Sequence, residues 1–87
     1  MYRVVIKKKV LKNISKLPKK IQKYLADLVE DLKDLGPIQK QWTNFSTLGK
    51  NEYHCHLDYH WVACWKSEND SLIIEVYYAG SSENAPY

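Results

Sequence analysis

Arginine occurs once in these 87 residues, at Arg3, and no acidic residue stands before Asp27. Glycine is confined to Gly36, Gly49 and Gly80, too far apart to form a glycine-rich loop around a phosphate group. Two cysteines, Cys55 and Cys64, cannot build a disulfide framework, although one hairpin register would set them opposite each other. Free, half-buried thiols are expected. No apolar run approaches the roughly 20 residues that cross a bilayer, and the opening MYRVVIKKK lacks the hydrophobic segment of a signal peptide. No serine-triad signature, internal repeat or low-complexity segment is present. These absences point to a cytoplasmic chain without membrane association, and the length allows one domain, 1–87, with one core.

What is present is ordinary in amount and uneven in placement. Hydrophobic residues make up 45% and charged ones 26%, proportions of a globular chain rather than a disordered one. Residues 1–23 carry nine Lys/Arg and no acid, a charge of +9. The remainder carries four Lys against ten acids, a charge of −6. Lys8, Lys9, Lys12, Lys16, Lys19 and Lys20 therefore form a basic end that either attracts a polyanion or is the solvated face of a helix.

The hydrophobic spacing orders the elements. Tyr2 to Ile6, with Val4, Val5 and Ile6, predicts an opening strand. Val10, Ile14 and Leu17 recur at helical spacing until Pro18, which disfavours helix at Leu17 and suits the start of a new one. Ile21, Tyr24, Leu25, Leu28, Leu32 and Leu35 then stripe one face of a second helix that Gly36 and Pro37 stop. A connection of about 14 residues follows, long for a compact domain, with Trp42, Phe45 and Leu48 as its anchors.

The last third holds three β-rich runs, Tyr53 to Leu57, Trp61 to Lys66 and Leu72 to Ala79, with gaps short enough to require antiparallel neighbours. Together with the opening strand they predict an α+β domain in which a helical hairpin packs on one face of a small, mainly antiparallel four-stranded sheet. Alternation places Tyr53, Cys55 and Leu57 on one face of their strand and His54 and His56 on the other, about 7 Å apart along the backbone.

That histidine pair admits three readings. It is a polar outer face of a sheet, half of a metal site completed by His60, Cys64 or Asp58, or a proton donor and acceptor suited to neutral water. The spacing matches no zinc pattern, and no metal or other cofactor is expected. Lys50 and Lys66 could hold phosphates as point charges. Trp61, Trp65, Tyr77, Tyr78 and Tyr87 offer flat surfaces to unstacked bases, and Trp61 and Trp65 share a face whose identity depends on hairpin register.

A strand, a basic helical hairpin, Leu48-Gly49 before Tyr53, a meander, and a tail after Tyr78-Ala79-Gly80 together resemble the RelE/ParE superfamily of toxins from toxin-antitoxin modules, over essentially the whole chain. For RelE-like members the resemblance implies ribosome-dependent, metal-independent cleavage of messenger RNA and silencing by a cognate antitoxin. The basic positions on the second strand match His54 and His56, and a catalytic tyrosine near the C-terminus matches Tyr87. Two arginine positions of the family fall near Trp61 and at Ser81, so Lys50 or Lys66 would have to substitute in binding the substrate. ParE-like members imply the alternative, a non-catalytic toxin that inhibits DNA gyrase by protein contact.

Overall fold

A computed structural model describes residues 1–68 and 71–87. Asn69 and Asp70, within the gap assigned to Ser67 to Ser71, lie outside the described residues. The elements are β1 (Arg3–Ile6), α1 (Lys8–Asn13), α2 (Lys19–Leu35), β2 (Ser46–Gly49), β3 (Glu52–Asp58), β4 (Trp61–Ser67) and β5 (Ile73–Ser81). Short 3-10 turns follow α1 at Ile14–Lys16 and β5 at Ser82–Asn84.

The helical hairpin breaks where proline demands it. Leu17 is extended, with φ −75° and ψ 150°, because the Pro18 ring disfavours a helical residue before it. Gln22 closes the joint by donating from Nε2 to the Leu17 carbonyl at 2.8 Å. Of the predicted α2 stripe, Ile21, Leu25, Leu28 and Leu32 are buried. Leu35, at the end of the helix, is exposed. Gly36 stops the helix with φ +90°, a conformation that side chains resist. A Cβ there would also lie 2.7 Å from the Tyr2 ring.

The sheet has five strands rather than four, in the order β1-β5-β4-β3-β2. The additional strand, β2, comes from the stretch assigned to a long connection and pairs antiparallel with β3. It is only four residues long and sits at the sheet edge, so it buries no apolar alternation that would announce it. The other edge is β1, which runs parallel to β5 with Arg3 opposite Ile73. The connection is anchored through its aromatic residues and Gln39. Trp42 Nε1 donates to Asp31 at 2.9 Å, Phe45 stacks against Tyr53 and Trp65, and buried Gln39 donates to the Gly36 carbonyl at 2.7 Å.

Register decides what each face carries. Cys55 lies opposite Ala63 and Tyr53 opposite Trp65, and all four join the helix-side core with Ile74 and Val76. His54 lies opposite Cys64, so the two cysteines point to opposite faces and cannot pair. Both thiols are free and fully buried rather than half-buried. A bulge between Cys64 and Trp65 sets Cys64 opposite Tyr78 and Trp65 opposite Val76, which leaves Tyr77 as an extra residue. Among the described residues, no helix is long and apolar enough to cross a membrane.

Candidate functional site

The face of the sheet away from the helices carries His54 and His56 on β3, Val62, Cys64 and Lys66 on β4, and Tyr78 and Gly80 on β5. Val62 and Cys64 are fully buried yet stand outside the helix-side cluster, so this face has a small apolar floor of its own. Its roof is built by side chains. Tyr78 turns back over Gly80, where a Cβ would lie 3.0 Å from the phenol oxygen, and donates to the Ser81 carbonyl at 2.6 Å. The tail turns at Ser81, whose Oγ accepts from the Glu83 N–H at 3.1 Å, while the Ser82 N–H donates to the His60 carbonyl at 2.8 Å.

This turn returns Tyr87 to the histidines. Its ring lies 4.5 Å from the His54 ring at a tilt of 47°, and the His54 and His56 rings are 6.1 Å apart. Ser46 on β2 stands opposite His54, and its Oγ is 3.0 Å from His54 Nδ1. His54 is buried, whereas His56 is half-buried. Burial, then the neighbouring His56, lowers the His54 pKa below 6.5, and an interaction with the Ser46 backbone works against both. The imidazole is therefore mainly neutral near pH 7, as a proton acceptor must be. Burial and the nearby Cys64 raise the Tyr87 phenol above its ordinary value, which keeps its proton in place. Cys64 itself is pushed up to about 12 by burial and Glu52, so it is no thiolate nucleophile at neutral pH.

The remaining sequence-derived candidates scatter. Trp61 stands opposite Ser81 and packs half-buried against the helix-side core, as Trp65 does in full. Neither is on the histidine face. Ser81 caps the tail turn with its hydroxyl. Lys66 shares the histidine face but lies 3.6 Å from Glu75, opposite Glu52 in register. Glu52 in turn accepts from Tyr77 Oη at 3.0 Å. Lys50 lines a shallow cleft with Lys66 and Glu68. Lys8, Lys12, Lys16 and Lys19 are exposed along α1 and the start of α2, Lys20 pairs with Asp58 at 3.2 Å, and Lys9 lines a cleft with Lys7, Tyr77, Tyr78 and Asn84.

Sequence reasoning missed Ser46 altogether. Its only signal was a short Ser-Thr-Leu run between Asn44 and Gly49, too brief to read as a strand. Among the described residues, no three His, Cys, Asp or Glu side chains gather as metal ligands.

No protein-family model matches the sequence, and no curated protein matches it significantly. Solved structures do. The isolated E. coli RelE toxin superposes with a TM-score of 0.77 at 15% identity, covering 99% of this chain and 89% of that one. A chain of the archaeal RelE-RelB complex from Pyrococcus horikoshii gives 0.76 at 17% identity, covering 97% and 98%. A metal-bound toxin from Helicobacter pylori gives 0.75 at 20% identity, covering 95% and 97%. At these identities the likeness is one of architecture, and the fold of this chain is the RelE-like toxin fold.

Proposed function

We propose that the chain is the toxin of a toxin-antitoxin module and an endoribonuclease that cleaves messenger RNA on the ribosome, in the cytoplasm, until a cognate antitoxin protein binds it. The observation that carries this reading is the packing of Tyr87 on His54 with His56 alongside. Two groups able to exchange protons and one aromatic surface converge on a sheet face that the helices leave uncovered. The RelE-like fold supports the reading, and the complex of the archaeal relative with RelB supports a protein antitoxin as the partner.

The reaction follows from those groups. In the tautomer we assign, His54 donates its Nδ1–H to Ser46 Oγ and keeps the Nε2 lone pair free as the base. Nε2 takes the proton of a ribose 2′-hydroxyl, whose oxygen attacks the adjacent phosphorus and forms a 2′,3′-cyclic phosphate. The P–O5′ bond breaks, and His56 returns a proton to the departing 5′-oxygen. Tyr87 holds the base or ribose beside His54 with its ring. Lys66 and Lys50 offset phosphate charge, with Lys66 exchanging Glu75 for the substrate. Among the described residues no three His, Cys, Asp or Glu side chains gather as metal ligands, the similar H. pylori toxin structure is metal-bound, and no step here runs through a metal.

Induced expression with mapping of message ends tests this directly. Fragments ending in 2′,3′-cyclic phosphate and 5′-hydroxyl, formed only on translated messages, are the expected result. Intact messages together with altered DNA supercoiling would replace the enzyme by the gyrase-binding alternative.

A further inference from the structure

A cleft of about 720 Å³ opens at the end of the sheet beside the candidate site, a size within the range of small-molecule and nucleotide pockets. Its lining includes His56, Thr43, Asn44, Asp58, Tyr59 and His60. His56 thus belongs both to the histidine pair and to the cleft wall, so a chain bound at one continues into the other.

The walls are pinned. On one side the His56 N–H donates to the Thr43 carbonyl at 2.8 Å, which fixes the segment before β2 against β3. Asn44 there adopts φ +55°, a left-handed conformation that asparagine tolerates better than most residues. On the other side the Ser82 N–H bond to the His60 carbonyl holds the β3–β4 turn against the tail. At the mouth, Tyr59 is 79% exposed, so its ring is available to a ligand. It meets His60 edge-on, at 4.4 Å and 85°, which leaves an aromatic face open. Asp58 is held ionised by the Tyr59 backbone N–H and by Lys20, whose ammonium sits 3.2 Å away at the rim.

We propose that this cleft is the subsite for the unpaired nucleobase next to the scissile phosphate, and that it selects bases carrying an exocyclic amine. The proposal rests on the RNA-cleaving reading. Tyr59 supplies the stacking surface, worth most where bases are already splayed out. Asp58 is an acceptor only, and adenine, cytosine and guanine each offer it an amino group that uracil lacks. The Asn44 amide completes the edge contact. Lys20 balances the Asp58 charge, so that a phosphate can approach the rim.

The test is the base composition at message cleavage sites in a translating extract, together with steady-state rates. The parent should use uridine at the flanking position about fivefold less often than amino-bearing bases. Asp58→Asn should relax that bias, and Asn44→Gly, which keeps the positive φ and removes only the amide, should do so in part. Tyr59→Ala should raise KM about fivefold with kcat little changed, while Tyr59→Trp restores it. Equal use of uridine by the parent, or an unchanged bias and KM in these variants, overturns the subsite while leaving the nuclease intact. If the parent cuts no message, the nuclease reading fails and amide-shift titration of the labelled protein decides the cleft. Shifts at Asn44, Tyr59 and His60 larger with AMP or CMP than with UMP support it, and their absence refutes it.

Discussion

The Tyr87 ring covers His54 at 4.5 Å, while Ser46 on the neighbouring strand holds the same imidazole through Nδ1 at 3.0 Å. A residue of the tail and a residue of an edge strand thus orient one side chain between them.

His54→Ala should cost about 1–2 kcal/mol in urea unfolding, because it leaves Ser46 without its partner and opens a gap over Cys64. His56→Ala, at a half-buried position, should cost about 0.5 kcal/mol. Both should reduce message cleavage by about a hundredfold or more. A folded double variant that cleaves at the parental rate would remove the histidines from the mechanism.

Deleting Tyr87 should change stability by only about 0.5 kcal/mol, since the ring is half exposed. It should still lower cleavage by about a hundredfold, the loss expected when a group that positions the reacting atoms is removed. It should also raise the His54 pKa, because burial is the first cause of its depression. Imidazole proton shifts followed through a pH titration read that change. Tyr87→Phe keeps the ring and should remain within about tenfold of the parent; a deeper loss would assign the chemistry to the hydroxyl.

Stability should fall on the acid side in a way that His54 accounts for. Its folded pKa is lower than its ordinary 6.5, so between the two values the unfolded chain binds the extra proton. The contribution is complete above about pH 6.5 and is lost as pH falls through the folded value. His54→Gln should flatten the difference in unfolding free energy between about pH 7.5 and about pH 5 relative to the parent. A parallel decline in both proteins would place the titration elsewhere. The acid limb of cleavage by the parent should likewise fall below 6.5 if His54 is the base.

Replacing Lys8, Lys9, Lys12, Lys16 and Lys19 by Glu should weaken ribosome binding and reduce its salt dependence. The parental affinity should fall by at least about tenfold between roughly 50 and 200 mM salt. Filter binding across that range measures both. A flat salt response would mark these lysines as a solvated face. Lys20 is best left in place, because it pairs with Asp58 at 3.2 Å beside the β3–β4 turn.

Gly36→Ala should destabilise by about 2 kcal/mol or more, from the positive φ and from the Tyr2 ring that the new methyl would meet. Thermal unfolding checks it. If Tyr2→Ala leaves the cost of Gly36→Ala unchanged, the backbone alone is responsible.

Much of this architecture was legible because period and punctuation agree. The α2 stripe, the stop at Gly36 and the alternation through Tyr53, Cys55 and Leu57 are local signals, and they placed both histidines on the face away from the helices. What stayed hidden depends on pairing. The face of Trp61 and the partner of Cys64 turn on one residue of register, and the bulge at Tyr77 shifts that register partway along β5. Ser46 became visible as the partner of His54 only once β2 was seen to pair with β3. The cleft beside His56 is assembled from α2, the segment before β2, the end of β3 with its turn, and the tail, segments with no shared sequence period.

The parallel pairing of β1 with β5 joins two distant parts of the chain. Arg3 and its partner Ile73 stand 70 residues apart in sequence, so the sheet closes only when distant parts of the chain meet. Such long-range pairing delays folding, because the entropy of closing the intervening loop must be met first. The histidine face is therefore complete only once the whole sheet has closed, from β1 at one edge to β2 at the other.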